Sequence, residues 1–340
     1  MTKATQAKRP DSAKGEPRLT SLPTPLRSAK VTHCTVVLAT ALLLACGSDD
    51  QKPAPTQGGA AIDVHLHLAS PELTDFLKDG SVDAPTAAEL VALLDEGNVE
   101  RGVVLAPGYM AFPEPRYMTN ENDYVAAQIA DFSERLIGFC GINPRLEGAV
   151  DEVSRCLKLP GMVGVKLHLP GSEMDLDDPE QAAQLAAVFD RIEAEDAPVL
   201  MHVGDVSSQP LTSAAFEALS EIINSHPSVR ITHAHCAGNV DDATIESWLR
   251  VPGAGYNENS FVDTSACLKF YRDAPLATRE LIVWRFRKWG IERVLLGSDY
   301  ISFEPEETPA EAIETLRQYP FTEEEIGTIL SNDGSAWLGM

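Results

Sequence analysis

The segment Ile62-Asp63-Val64-His65-Leu66-His67 carries the clearest structural pattern in the sequence. Apolar and polar residues alternate along it, as they do in a β-strand whose successive side chains point to opposite faces. His65 and His67 therefore share one face, and two imidazoles on one strand form half of a metal site. We expect the carboxylate of Asp63, one layer deeper, to accept a hydrogen bond from the second ring nitrogen of a histidine.

Similar short apolar runs recur down the chain, with amphipathic helical stretches between them. The runs predicted as strands are 62–67, 102–106, 137–142, 164–168, 199–203, 230–235, 261–264 and 294–298, and helices are predicted at 87–98, 181–195, 216–225 and 276–289. This alternation over about 250 residues predicts an α/β fold, a (β/α)₈ TIM barrel. An open doubly wound sheet is the alternative, but no glycine-rich phosphate turn follows the first strand.

Polar side chains stand at the carboxyl ends of the predicted strands, where a barrel builds its active site. They are His65 and His67 on strand one, Lys166 and His168 on strand four, His202 on strand five, His235 on strand six and Asp299 after strand eight. Imidazole nitrogens and carboxylate oxygens are ligands of zinc in proteins. The sequence therefore predicts a metal site at the mouth of the barrel.

Several motifs in this order resemble the amidohydrolase-related branch of the amidohydrolase superfamily, which contains metal-dependent TIM-barrel hydrolases and decarboxylases. The motifs are Asp63-x-His65-x-His67, Gly164-Val165-Lys166-Leu167-His168, Met201-His202-Val203-Gly204, Ala234-His235-Cys236-Ala237-Gly238, Val262-Asp263-Thr264-Ser265 and Leu296-Gly297-Ser298-Asp299-Tyr300. The resemblance covers about residues 60–340.

The resemblance implies a metal centre and roles for its residues. The implied ligands of a divalent metal, usually zinc, are His65, His67, His202 and Asp299, and the implied catalytic residues are Asp299, His235 and Lys166. His235 either holds a second metal or polarises the substrate. Lys166 occupies a position that is carboxylated in members with two metal ions, so both one ion and two ions remain possible. We favour one ion.

Three functions are compatible with this site. The first is hydrolysis of a C–N or C–O bond in an amide, ester or lactone by a metal-activated water, with Asp299 taking the proton of the water and His235 or Lys166 stabilising the oxyanion. The second is nonoxidative decarboxylation of an aromatic or muconate-like acid, in which Asp299 exchanges a proton with carbon. The third is a metal- or solute-binding lipoprotein without turnover, which would have no need of the general base Asp299.

Other polar residues have plainer interpretations. His168 is expected to line the pocket, His233 to be a core histidine one layer below His235, His226 to cap a helix, and Asp263 to orient a loop. The loop 107–122, with Tyr109, Phe112, Arg116 and Tyr117, is predicted to form part of the pocket wall, and Lys269 and Arg272 are candidate clamps for a substrate carboxylate.

The charge distribution limits the possible partners. Residues 1–45 carry seven Lys or Arg and two acidic residues, and the rest of the chain holds 20 basic and 49 acidic side chains, a formal charge of −29. Such a surface repels phosphate backbones, so we expect a small-molecule substrate and no nucleic acid. A homodimer is possible.

The first part of the chain is predicted to direct export. A long basic leader precedes an apolar run at 36–45 that is shorter than the roughly 20 residues of a membrane-spanning helix. The run ends in Leu43-Leu44-Ala45-Cys46, which resembles a bacterial lipobox. We therefore predict a lipoprotein signal peptide at 1–45, which contains His33, a flexible tether at 46–59 and the barrel at 60–340. The protein would be a cell-envelope lipoprotein anchored through lipid at Cys46, in the outer membrane if the cell is Gram-negative; a cytoplasmic enzyme is the alternative.

The six cysteines show no metal-binding spacing such as C-x-x-C. A chain of this length does not need disulfide bonds to fold. Cys140, Cys156 and Cys236 lie in or beside apolar runs. We expect them to be small buried residues that are separate from one another.

Overall fold

The computed structural model describes residues 59–78, 83–110, 114–204, 211–238, 258–300 and 307–340. The described residues all belong to one compact unit within residues 53–340. The predicted signal peptide with Cys46, most of the predicted tether and Phe112 lie outside the described residues. Among the described helices, none combines the length and the apolar character that a membrane crossing requires.

Eight parallel strands form one sheet in which each strand pairs with the next along the chain. The strands are β1 (Ala60–His67), β2 (Val99–Leu105), β3 (Leu136–Gly141), β4 (Met162–His168), β5 (Val199–His202), β6 (Ile231–His233), β7 (Ser260–Asp263) and β8 (Val294–Leu295). Each overlaps a predicted strand, so the TIM-barrel prediction is confirmed.

Hydrogen bonds between β1 and the segment after β8 join the two edges of the sheet. The N–H of Val64 donates to the carbonyl of Leu296 at 2.9 Å, and the N–H of Asp299 donates to the carbonyl of His65 at 2.9 Å. Leu66 also forms a parallel bridge with Tyr300. The strand that carries the histidine pair therefore lies beside the segment that carries Asp299.

Helices lie between the strands and follow the last one. They are α1 (Pro71–Lys78), α2 (Ala87–Gly97), α3 (Arg116–Ile129), α4 (Ala149–Cys156), α5 (Pro179–Ala194), α6 (Ser213–Ser225), α7 (Cys267–Phe270), α8 (Leu276–Trp289), α9 (Pro309–Gln318), α10 (Glu323–Ser331) and α11 (Ser335–Leu338). Capping boxes begin α2, α9 and α10, where the threonine before each helix exchanges hydrogen bonds with a glutamate in its first turn. The four predicted helices correspond to α2, α5, α6 and α8.

Buried apolar side chains form two layers. The larger cluster combines strand residues with residues of the surrounding helices, among them Leu90, Val125, Val188 and Phe286. The smaller cluster fills the barrel interior with residues of β1, β2, β3, β5, β7 and β8. The indole of Trp337 joins this interior cluster, 5.0 Å from the ring of Phe139. The polar mouth of the barrel thus rests on a packed apolar core.

Two disulfide bonds connect strand ends to helices. Cys140 in β3 bonds to Cys156 in α4, and Cys236 after β6 bonds to Cys267 at the start of α7. Cys140, Cys156 and Cys236 are buried, as predicted, but the prediction that they are separate residues is wrong: the first two bond to each other, and Cys236 bonds to Cys267. Their sequence separations of 16 and 31 residues follow no motif. The barrel brings them together because each strand end lies beside the helical layer or the next strand.

Candidate active site and metal centre

The paired histidines of β1 converge on the carboxylate of Asp299. Oδ1 of Asp299 lies 3.2 Å from Nε2 of His65 and 3.2 Å from Nε2 of His67. The backbone of Asp299 adopts the left-handed region with φ of 62°. This turn, together with the hydrogen bond from its N–H to the carbonyl of His65, directs the side chain towards β1.

The second ring nitrogen of His65 is held by Asp263 and not, as predicted, by Asp63. Oδ2 of Asp263 lies 2.8 Å from Nδ1 of His65, and both residues are fully buried. The pairing of β1 with β2 shifts register between Asp63 and Leu66, so simple alternation does not hold there. Oδ1 of Asp63 instead accepts the backbone N–H groups of His65 at 3.0 Å and Ser298 at 3.2 Å.

The end of β7 organises the turn that carries His235. Oδ1 of Asp263 accepts the backbone N–H of His235 at 2.8 Å and the hydroxyl of Ser265 at 2.6 Å. Oγ of Ser265 lies 2.9 Å from Nδ1 of His235 and 3.0 Å from Nδ1 of His65. A Cβ at Gly297 would lie 3.0 Å from the Cβ of His65 and 3.1 Å from that of Ser265, so this close approach needs glycine at position 297.

A stack of rings brings β4 and β5 into the site. The rings of His168 and His202 are stacked with centroids 3.8 Å apart. The ring of Tyr109 also stacks on the ring of His168, with centroids 4.8 Å apart. Nδ1 of His168 accepts the backbone N–H of Gly171 at 2.8 Å, which leaves its proton on Nε2. Nδ1 of His202 lies 2.8 Å from Nε2 of His235.

Lys166 is a buried cationic side chain within this cluster. Its Nζ lies 3.2 Å from Nε2 of His65, and the residue is fully buried. Burial lowers the pKa of Lys166 to about 8, although the charges of Asp299 and Asp263 oppose this shift. A substantial fraction of the amine is therefore neutral slightly above neutral pH.

The protonation states of these residues suit a divalent metal. Burial, followed by the nearby positive charges, lowers the pKa of His65 and His202 well below the ordinary histidine value. Burial also lowers the pKa of His67, against the opposing hydrogen bond with Asp299. Burial alone would raise the pKa of Asp299, but the charge of His235 and the hydrogen bond with His67 outweigh it and lower this pKa. Neutral imidazoles and an ionised carboxylate are the forms that bind metal.

The donor atoms also lie close enough together for one ion. Within the described part of the chain, two groups of ligand atoms lie within 4.8 Å of one another: His65, His67 and Asp299, and His65, His235 and Asp263. The first group contains three of the four predicted ligands. The fourth predicted ligand, His202, contacts His235, a member of the second group: Nδ1 of His202 lies 2.8 Å from Nε2 of His235. The site therefore fits the predicted divalent metal.

A cavity of about 320 Å³ opens beside the cluster. Its polar lining residues are His67, Lys78 and His168. Its other lining residues include Leu68, Leu73, Leu77, Tyr109 and Met110. Tyr109 therefore forms part of the pocket wall, as predicted. The cavity is mostly apolar and has the size of a small ring-shaped molecule.

Other candidate residues lie elsewhere. His233 packs against Trp289 of α8 with ring centroids 5.3 Å apart, so it does not share a face with His235. The left-handed turn that begins at His235 explains the difference, because it ends the alternation of β6. His226 follows α6, where its Nδ1 lies 2.6 Å from the carbonyl of Ile222, as expected of a cap.

The predicted clamps also lie apart from the described site residues. Lys269 and Arg272 line a separate cavity with Glu307, Glu311 and Glu314 of the α9 region, and none of the predicted metal ligands is among its lining residues. The exposed Arg116 pairs with Glu114 and stacks over Tyr117. The prediction that Arg116 and Tyr117 form the pocket wall finds no support in these contacts.

Sequence reasoning did not identify Ser265 or the contact between Asp263 and His65. The spacing of Asp263 and Ser265 at the end of β7 repeats that of His65 and His67, and this was the available signal. This spacing shows that two polar side chains occur at a strand end. It does not show which histidine they contact.

The amidohydrolase family model matches residues 62–332. The chain belongs to the amidohydrolase family. The match includes all eight strands in whole or in part, from Ile62 within β1 to Asn332, the residue after α10.

Individual relatives in this family include both decarboxylases and hydrolases. The chain is 23% identical over 255 residues to 2-amino-3-carboxymuconate-6-semialdehyde decarboxylase of Dictyostelium discoideum, covering 68% of this chain and 70% of the relative. It is similar in structure to a 2,6-dihydroxybenzoate decarboxylase bound to 2,6-dihydroxybenzoate, with a TM-score of 0.61, 17% identity and coverage of 83% of this chain and 100% of the other. A probable 2-pyrone-4,6-dicarboxylic acid hydrolase of Acinetobacter baumannii gives a TM-score of 0.58, 20% identity and coverage of 83% and 100%. At these identities the structural matches show the shared fold.

Proposed function

We propose that the protein is a metal-dependent nonoxidative decarboxylase of a small aromatic or muconate-like acid. The observation that carries this proposal is the mostly apolar cavity of about 320 Å³ whose polar lining residues are His67, Lys78 and His168. A flat conjugated acid would place its ring against the leucines and Tyr109 and its carboxylate at the metal centre. The decarboxylase from Dictyostelium discoideum supports this choice over hydrolysis.

His65, His67, His202 and Asp299 would hold the metal. The contact with Asp263 keeps a proton on Nδ1 of His65 and leaves Nε2 for the ion. A divalent ion there would supply a Lewis acid for the carboxylate of the substrate. Imidazole and carboxylate ligands suit zinc, and they also accept manganese, so we propose zinc and test both.

Asp299 is the proposed acid and base. Asp299, ionised in the resting site, would take a proton from solvent and pass it to the carbon that bears the carboxylate, where a new C–H bond forms. The C–C bond to the carboxylate then breaks, its electron pair returns to the conjugated system, and carbon dioxide leaves. Asp299 is then ionised again, as it was before the step. Lys166 and His235 contribute N–H donors that orient the carboxylate during this step.

Hydrolysis of an amide, ester or lactone is the second candidate. The structural similarity to a probable 2-pyrone-4,6-dicarboxylic acid hydrolase favours it. The same residues would serve, because Asp299 can take a proton from water as well as give one to carbon. The two reactions therefore have to be distinguished by substrate and product.

A panel assay tests the proposed function. Purified protein loaded with zinc or with manganese would be incubated with 2,6-dihydroxybenzoate, other hydroxylated benzoates, muconate-type acids, 2-pyrone-4,6-dicarboxylate and a set of simple lactones and amides. We expect carbon dioxide release from at least one carboxylic acid, and its loss in H65A/H67A. Turnover of lactones or amides alone, with no carbon dioxide from any acid, would favour hydrolysis.

We also propose that the enzyme is exported and anchored by lipid at Cys46. The motif Leu43-Leu44-Ala45-Cys46 motivates this proposal, and the disulfides Cys140–Cys156 and Cys236–Cys267 support it. Disulfides form and persist in oxidising compartments and are rare in the cytosol. The expected partners are thus a small-molecule substrate and, through the anchor alone, a membrane.

Fractionation of Cys46→Ala tests the location. We expect the native protein to appear in the membrane fraction without residues 1–45, and C46A to lose both lipid labelling and membrane association. A C34A variant, which changes the cysteine before the apolar run, is the control and should behave as the native protein. Identical fractionation of C46A and the native protein, both retaining residues 1–45, would place the enzyme in the cytoplasm.

A further inference from the structure

The structure assigns a positioning role to the disulfide Cys236–Cys267: it holds His235 in the active site, so that full activity requires the oxidised protein. The bond joins the turn after β6, which carries His235, to the start of α7, which follows Asp263 and Ser265. This inference rests on the proposed function only where turnover is measured.

The turn that carries His235 has a backbone conformation that its sequence does not favour. His235, Cys236 and Ala237 all have positive φ, at 56°, 59° and 61°. Ala266, directly before Cys267, is also in this region with φ of 49°. Residues with a Cβ rarely adopt the left-handed region in succession, and alanine and cysteine lack the side-chain amide that helps asparagine to do so. Contacts elsewhere in the fold must therefore hold this turn.

The end of β7 and the residues that follow it contribute contacts that hold the turn. Asp263 accepts the backbone N–H of His235 at 2.8 Å, and Oγ of Ser265 lies 2.9 Å from Nδ1 of His235. The disulfide adds a covalent bond between the residue after His235 and the second residue after Ser265. Without this bond the turn keeps only hydrogen bonds, and His235 can move away from His202, whose Nδ1 lies 2.8 Å from its Nε2.

The second disulfide supplies a matched control. Cys140 and Cys156 tie β3 to α4 and do not adjoin His235 or Ser265 in the chain. Both of these cysteines are fully buried, whereas Cys236 and Cys267 are 6% and 4% exposed. All four cysteines are thus buried, which makes the two bonds comparable.

Three measurements test this role. The first uses the native protein, and the other two compare C236S/C267S with C140S/C156S. Mass spectrometry of alkylated, unreduced protein should show the peptides of Cys236 and Cys267 linked. Hydrogen exchange of the amides of residues 235–238 should become at least tenfold faster in C236S/C267S and stay unchanged in C140S/C156S. With the substrate found in the panel assay, kcat should fall at least tenfold in C236S/C267S, with KM within threefold of the native value, and less than twofold in C140S/C156S.

A reversible version avoids variants that fail to fold. In the C140S/C156S background, dithiothreitol gives two electrons and two protons to the remaining S–S bond and leaves as its own cyclic disulfide. We expect activity to fall in step with the appearance of thiols at Cys236 and Cys267, and to return when oxidised glutathione restores the bond. Circular dichroism would verify that the barrel stays folded throughout.

Two results would overturn the inference. One is free thiols at Cys236 and Cys267 in protein made in an oxidising compartment. The other is unchanged exchange at residues 235–238, or unchanged turnover, after the bond is reduced in folded protein. If no acid is decarboxylated, the proposed function fails, while the exchange and thiol measurements still test the role of the disulfide.

Discussion

Asp263 and His65 form the contact that sets the orientation of the metal centre: Oδ2 of Asp263 lies 2.8 Å from Nδ1 of His65, and both side chains are fully buried. The other carboxylate oxygen of Asp263 binds the turn of His235. One side chain thus positions a proposed ligand and a proposed catalytic residue. It does so without being a proposed ligand itself.

Replacing Asp263 should weaken metal binding. In Asp263→Asn the single amide oxygen cannot serve both His65 and the turn of His235, because the carboxylate uses both of its oxygens. We expect zinc affinity to fall about 10- to 100-fold, the usual effect of losing a partner of a ligating histidine. Competition with a chromophoric chelator measures it. The exposed D151N is the control, and equal affinities of D263N and D151N would refute the prediction.

Replacing both histidines of β1 should abolish metal binding. H65A/H67A removes two of the three donor atoms that converge at the mouth of the barrel. We expect about one ion per chain in the native protein and none in the variant, measured by elemental analysis after dialysis. His226→Ala removes a buried histidine that caps a helix and should leave the metal content unchanged. Native protein that binds no zinc or manganese would contradict the assignment.

Lys166 decides between one metal ion and two. A carboxylated lysine could bridge two ions, and a fully buried amine with a pKa lowered to about 8 is reactive enough to form one. We nevertheless expect about one ion per chain, both in the native protein and in Lys166→Ala. A content near two that falls in K166A, and returns when bicarbonate and a short carboxylic acid are added, would establish the two-ion site.

Asp299→Asn should remove turnover and preserve the fold. Asparagine tolerates the left-handed backbone that Asp299 adopts, so this variant adds little strain. The amide can no longer carry the proton, and we expect kcat to fall about 10²- to 10⁴-fold. Thermal unfolding should match the native protein. A variant that keeps more than a tenth of the native kcat would exclude Asp299 as the acid and base.

The barrel was predictable because its signal is repeated along the chain. Each of the eight strands lies within a few residues of its predicted position, since buried parallel strands are short apolar runs that recur between amphipathic helices. The gathering of His65, Lys166, His202, His235 and Asp299 followed from their positions at strand ends. That these residues lie together at the mouth of the barrel could therefore be predicted without knowing their individual contacts.

The contacts inside the site were not predictable by the same reasoning. The register shift in β1 turns Asp63 towards backbone N–H groups, and Asp263 takes the place predicted for it. The left-handed turn at His235 ends the alternation of β6 and separates His235 from His233. Both features depend on neighbouring strands, which the pattern of a single strand does not contain.

The disulfides and the positions of Lys269 and Arg272 were also not predictable from the sequence pattern. The cysteines pair across 16 and 31 residues with no motif, because the barrel brings strand ends beside helices. Lys269 and Arg272 lie after β7, as a clamp would, yet the start of α7 directs them to a different cavity. Such details depend on loop geometry, which sequence periodicity does not describe.

Isotope labelling of the product distinguishes decarboxylation from hydrolysis. The native enzyme, loaded with its metal, would turn over the active acid from the panel in D₂O and, separately, in H₂¹⁸O. Decarboxylation by proton transfer from Asp299 predicts one deuterium on the carbon that bore the carboxylate, one equivalent of carbon dioxide, and no ¹⁸O in the organic product. A product that carries ¹⁸O, with no carbon-bound deuterium and no carbon dioxide, would contradict the account and identify the enzyme as a hydrolase.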